Sequence, residues 1–222
     1  RIKMSTPAKR YREQCTAVAA AHDVDLMTLT PYQHLLKQLH ADKAVLKSIK
    51  SHLDKQQAKA DLLPSYGDWL QGVLTSGSIA SEDRITPIVM IWQLDCGLLD
   101  ETMPLAKIAM FSQAESPDEF QRSLPEIIVE QYAEQMSAGA NIAPENVSML
   151  IDWAVGKNES GQHIHNLPDP IRAKMLKAAG EYFENADPPN QELALNLYNQ
   201  AIKYNEKIGL KKKVSLLQSQ TK

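Results

Sequence analysis

The sequence predicts an all-α protein. Three observations carry that prediction. Apolar residues recur at helical spacing along nearly every periodic stretch, the gaps between stretches hold helix-start and helix-stop residues, and no stretch sustains the alternation of β-branched and polar residues that a strand needs. The expected architecture is a set of irregular stacked helical hairpins, partly tetratricopeptide-like, led by a long amphipathic N-terminal helix.

That first helix begins at Thr30-Pro31, because a threonine hydroxyl can accept an orphan amide and proline has no amide to satisfy. Tyr32, Leu35, Leu39, Leu46, Ile49 and Leu53 fall within about 40° of one line on a helical wheel. The spacing therefore predicts one continuous helix up to Pro64. Lys43, Lys47 and Lys50 run along one flank of the stripe, where lysine stems lie on apolar surface while the ammonium groups reach outward. Pro64, in LLPSYGDWL, closes the helix, and Leu70 to Leu74 open a short one that ends in SGS. The next begins at Ser81 with Glu82 and Asp83, or alternatively at Thr86-Pro87, and Gly97 ends it. Further helices are expected after Asp100, after Ser116 with a kink at Pro125, after Ala143, after Asp169 and after Asn190. Gly139, Gly156 and Gly209 suit the left-handed residue that follows many helix ends. The pairs IVMIWQLDCG/MPLAKIAMF and KAAGEYFENA/ELALNLYNQAIKYN look alike as hairpins with small residues at the crossing, although no clean 34-residue period joins them. Asn158 to Pro170 and Asn185 to Asn190 read as loops.

With 222 residues, 43% of them apolar and 23% charged, the chain can bury a substantial core and does not read as a disordered polymer. Its two cysteines, Cys15 and Cys96, are too few for a disulfide framework, so a reducing cytoplasm is expected. The longest apolar run, Ile85 to Leu94, is interrupted by Thr86, Pro87 and Gln93, far short of the roughly 20 residues that span a bilayer. No membrane segment or signal peptide is expected. Met4 opens MSTPAKRYREQ and reads as a native start, with residues 1–3 a remnant in front of it.

The net charge of −3 conceals a partition. Residues 1–60 carry +6, residues 61–200 carry −14 and residues 201–222 carry +5. The organisation expected from this is a basic helical nucleic-acid-binding region over residues 4–60, an acidic central assembly region over 61–165, and C-terminal hairpins with a basic end over 166–222.

Catalytic patterns are scarce. GKN at 156–158 lacks the upstream glycine and the following Ser or Thr of a phosphate-cradling loop. His163 and His165 have no cysteine or third histidine nearby to complete a metal set, and read as surface loop histidines. Asp118 and Glu119 read as charge-dipole caps rather than nuclease carboxylates, which would have to be gathered from several elements around a divalent ion. No catalytic residue, metal ligand or cofactor is assigned. Trp69, Trp92 and Trp153 sit among aliphatic residues and are read as core, as are the two cysteines.

The basic ends carry the candidate chemistry. The stretch KAVLKSIKSHLDKQQAK holds five lysines against one aspartate, and KRYR at 9–12 precedes the helical core like an arm reaching for phosphates. Lysine and arginine contacts to phosphate release counterions and give steeply salt-dependent binding. The candidate DNA-binding residues are Lys9, Arg10, Arg12, Lys43, Lys47 and Lys50. Of these only the two arginines suit base readout, so sequence specificity would depend on many copies acting together. Lys211 to Lys213 could cap a helix, touch DNA or dock on an acidic partner.

The run YQHLLKQLHADKAVLKSIKSHLDKQQAKADLLPSYGDWLQGVL followed by VMIWQLDCGLLDETMPLAKIAM, with LLP and tryptophan at 62–69, W-x-L-D-x-G from Trp92 to Gly97 and PDPIRAK from residue 168, closely resembles the small terminase subunit of peduovirus-like tailed phages. The likeness extends from about Met4 to the end of the chain. Members of that family carry a longer basic C-terminal tail, so nothing assigned to the tail is carried over. The resemblance implies a protein of the host cell cytoplasm that binds viral double-stranded DNA, assembles as a homo-oligomeric ring, and delivers DNA to a large terminase subunit holding the ATPase and nuclease activities for genome packaging. Two other readings stand beside it: a metal-dependent endonuclease subunit of the terminase, and a helical protein-interaction scaffold.

Overall fold

A computed structural model describes residues 29–117 and 122–220. Lys9, Arg10, Arg12, Cys15, Asp118 and Glu119, and the proposed remnant at 1–3, lie outside the described residues. The described chain is helical throughout: α1 Pro31–Ser48, α2 His52–Leu62, a 3-10 turn Leu63–Tyr66, α3 Gly67–Ser76, α4 Thr86–Asp95, α5 Leu99–Met110, α6 Leu124–Ser137, α7 Pro144–Val155, α8 Asp169–Glu184, α9 Gln191–Tyr204 and α10 Lys211–Gln220. Among the described residues β pairing amounts to a single antiparallel bridge, Lys157 to His163.

The start of α1 is the expected one. Thr30 Oγ1 accepts from the Gln33 amide at 3.2 Å and the Gln33 side chain accepts from the Thr30 amide at 2.8 Å, a reciprocal cap. The single long helix is corrected: it stops at Ser48, Ile49 turns to extended backbone (φ −83°, ψ 120°), and Ser51 caps a second helix by accepting from the Asp54 amide at 3.3 Å. The break follows from burial. Leu39, Val45 and Leu46 face the core, but Leu53, the next member of the stripe, is 78% exposed, and α2 instead buries Ala58 and Leu62 against α4.

The start of α4 is the Thr86-Pro87 one, and Asp83 makes it. This carboxylate is buried; Oδ1 accepts from the amides of Ile85 (2.8 Å) and Thr86 (3.0 Å), and Oδ2 from the Thr86 hydroxyl (2.5 Å) and the Trp69 indole (3.2 Å). The helix start expected after Ser116 runs into residues 118–121, outside the described residues; α6 is capped by Ser123, which places Pro125 in the first turn, where a missing amide costs nothing, so no kink forms. Gly139 and Gly209 have positive φ as expected, but Gly156 does not (φ −58°). Its reason is space: a Cβ there would lie 2.4 Å from the Asp152 carbonyl oxygen.

The two predicted hairpins exist as α4–α5 and α8–α9. The tetratricopeptide-like part of the expectation is not confirmed, because α8 packs against α6 and α7 as well as α9. Gly180 lets α8 and α9 close on each other, since a Cβ at that position would sit 2.5 Å from the Tyr198 ring. His163 and His165 are also corrected, being packed rather than surface side chains. His165 is 7% exposed with its ring 5.0 Å from Phe111, and His163 Nε2 is 3.2 Å from the Tyr204 hydroxyl. The loop that bears them is held by the buried Arg172, whose guanidinium donates to the carbonyls of His165 (2.8 Å), Leu167 (3.2 Å) and Ala154.

Three outcomes are expected. Gly180→Ala should destabilise the fold by about 1–3 kcal/mol in denaturant unfolding, through overpacking against Tyr198. Asp83→Ala should lose about 2–4 kcal/mol, because buried donors at the head of α4 and on Trp69 lose their acceptor. Burial, then the Arg172 charge, hold the His165 imidazole below its ordinary value of 6.5. The unfolded chain therefore binds this proton more readily, and stability should fall as pH drops from 6.5 towards the lower folded value, then level off. His165→Gln should flatten the unfolding free energy across that window.

Candidate nucleic-acid interface

Lysines at i and i+4 share a helix face. On α1 these are Lys43 and Lys47, and on α2 Lys55 and Lys59. The turn at Ile49 to Ser51 brings both pairs onto one groove of about 530 Å3, whose apolar wall is formed by Leu46, Ile88, Ile91 and Trp92 and whose rim includes Asp95 and Pro117. Lys47 is exposed, and Lys43, Lys55 and Lys59 are half-buried. Among the described residues, Lys47 and Lys55 form no ion pair, whereas Lys59 Nζ is paired with Asp95 Oδ2.

Two of the sequence-predicted residues, Lys43 and Lys47, thus meet at the groove. Lys50 does not: it lies in the break, exposed, and is not part of the lining. Sequence reasoning missed Lys55 and Lys59. Their i, i+4 spacing inside the same lysine-rich stretch was a signal, but on one unbroken helix they have no reason to face Lys43 and Lys47.

The tryptophans are core, as expected. Trp92 is 5% exposed and meets Tyr66 edge-on at 5.9 Å, Trp153 is equally buried, and Trp69 is half-buried, 5.3 Å from Tyr32 and hydrogen-bonded through its indole. Stacking on bases at this groove therefore has no exposed tryptophan to use, and the cations are left as the contacting groups. Tyr66 in turn donates from its hydroxyl to Asp42 at 2.6 Å, which fixes α1 beside the wall. Beyond the Lys59–Asp95 pair a second groove of about 540 Å3 continues past His52 and Gln56 to Gln135 and Ala138.

Cys96, next to Asp95, is half-buried and free, its thiol donating to the Gln56 carbonyl at 3.6 Å. Burial, with the Asp95 charge second, pushes the thiol up and keeps it protonated, which suits a packing role. At the other basic end, Lys213 is tied back to the body by Glu184 at 2.6 Å and lies 5.0 Å above the Tyr198 ring, and Lys211 is 3.5 Å from Glu206. Among the described residues no three His, Cys, Asp or Glu side chains are gathered as a metal would require, and no helix is long and apolar enough to cross a membrane.

The family model described as phage small terminase subunit matches residues 36–155, which includes α2 to α7, most of α1 and the whole described groove. The protein "Terminase, endonuclease subunit" of Escherichia phage P2 is 29% identical over 222 residues, covering 99% of this chain and 87% of that protein. No solved structure matches. The helices that build the lysine groove thus lie within the matched segment, and the chain belongs to the phage small terminase subunit family.

Proposed function

We propose that this protein is the DNA-recognition subunit of a genome-packaging terminase, and that the groove between α1 and α2 grips the backbone of double-stranded viral DNA. The observation that carries this reading is the convergence of two lysine pairs from two helices on one groove. Lysine is a compact point charge without the planar fork of arginine, so the groove suits phosphate contact more than base readout. The basic segment with Lys9, Arg10 and Arg12 would add contacts to the same polyanion, and Lys50 would contribute from the edge. In this reading residues 4–60 serve DNA, the acidic region 61–165 supports assembly into a homo-oligomer, and residues 166–222 complete the body. Several copies in a ring would multiply weak contacts through effective concentration. The partner that receives the DNA would be a large terminase subunit with the ATPase and nuclease activities, in the host cell cytoplasm.

A second reading draws on the relative's name, an endonuclease subunit: the chain would cut DNA itself with a divalent ion. Incubation of the purified protein with supercoiled DNA and Mg²⁺, without a large subunit, separates the two. Nicking abolished by a carboxylate substitution would favour the endonuclease, and intact DNA the recognition subunit.

For the leading reading, binding to viral duplex is followed by fluorescence anisotropy over a salt series. Lys47→Ala combined with Lys55→Ala should flatten the slope of log K against log[salt] by about 2, or roughly 0.9 for each phosphate no longer neutralised. Lys50→Ala should have a smaller effect. An unchanged slope in the double variant would remove the groove from the DNA site. Native mass spectrometry with and without DNA would report assembly and binding together.

A further inference from the structure

Among the described residues Asp95 is the one carboxylate on the lining of the lysine groove, and its position is not explained by its own helix. It is the last residue of α4, where the helix dipole disfavours an anion, and α4 has no basic residue in its last turn. The compensating charge comes from α2, as Lys59, with both side chains partly withdrawn from solvent at 16% and 27% exposure. The packing of α2 on α4 does not depend on that carboxylate alone. The Gln56 side chain donates to the Asp95 backbone carbonyl at 3.0 Å, and Ala58 and Leu62 are buried on the same side. Asp95 and Lys59, together with Lys55, also line the second groove, so the ion pair stands at the junction of the two.

Resting on the reading of the groove as a phosphate site, we propose that Asp95 is a built-in competitor for phosphate: it occupies Lys59 as an internal counterion and so sets how tightly, and over how long a track, the protein grips a nucleic acid backbone. A lysine engaged by a carboxylate releases no counterion when DNA arrives, and so adds nothing to the salt dependence of binding. With Asp95 neutral, Lys59 becomes available at the junction, and phosphate binding extends from the first groove into the second. A terminase subunit that must let DNA move on to another machine gains from a grip held below its maximum.

The test uses the full chain and a viral duplex, with binding followed over a salt series. Asp95→Asn should steepen the slope of log K against log[salt] by about 0.9 and tighten binding about three- to tenfold at low salt. Asp61→Asn is the charge-matched control on α2; this carboxylate accepts from Gln57 at 3.0 Å and pairs with no lysine among the described residues. It should leave the slope unchanged. Adding Lys59→Ala to Asp95→Asn should return the slope to that of the wild type. Asp95→Ser, which keeps the backbone bond from Gln56, repeats the test should the asparagine variant fold poorly. The proposal is overturned by an unchanged slope in Asp95→Asn or Asp95→Ser, by an equal change in Asp61→Asn, or by a steepening that survives removal of Lys59. Failure of the underlying reading looks different: Lys47→Ala with Lys55→Ala would then leave the wild-type slope unaltered.

Discussion

The constraint on which the rest of the structure depends is the burial of α4. In ten residues it presents Val89, Met90, Ile91, Trp92 and Leu94 to the interior, on all sides of the helix. A helix apolar all round cannot rest on one neighbour. It is covered by α2, α3, α5 and α6, and at its first turn Asp83 accepts from the amides of Ile85 and Thr86, which would otherwise be orphaned in apolar surroundings. Covering one side of α4 with α2 is what obliges the chain to turn after Ser48. Without that turn the lysines of the N-terminal stretch would spiral along one long rod.

The candidate DNA surface is thus a by-product of core formation. The lysines that line the groove share it with the apolar wall, mostly of α4, and one of them, Lys59, is held by Asp95. Trp92 belongs to the wall and not to the binding surface, because its indole is packed against Tyr66. The same economy holds at the far end of the molecule. Lys213, part of a basic run that looked free to bind, is absorbed by Glu184 and Tyr198 at the α8–α9 crossing that Gly180 makes possible.

Ion pairing separates the cations into two kinds. Lys59, Lys174, Lys211 and Lys213 have carboxylate partners and lend little to a distant polyanion, whereas Lys47 and Lys55 have none among the described residues. A count of charge along the chain cannot make this distinction, since the carboxylates that neutralise Lys59 and Lys174 come from positions some 36 to 44 residues away.

By itself the sequence determined what depends on neighbours within a few residues: the helical class, the cap at Thr30, the Thr86-Pro87 start as one of two options, the left-handed glycines at 139 and 209, and the core role of the tryptophans. It determined the family too, through ordered blocks such as LLPSYGDW and WQLDCG. The tertiary structure alone decided where α1 ends, which lysines face each other, that Asp83 serves both α4 and Trp69, and that His165 is buried under Phe111. Each of these turns on an approach between residues far apart in the chain, or, as with the break at Ile49 to Ser51, on a cost that is offset only when α2 reaches α4. Local periodicity read Leu53 as part of one stripe; the burial of Ala58 and Leu62 against α4 overruled it, because apolar area removed from water on the core side outweighed continuity of a helix facing solvent.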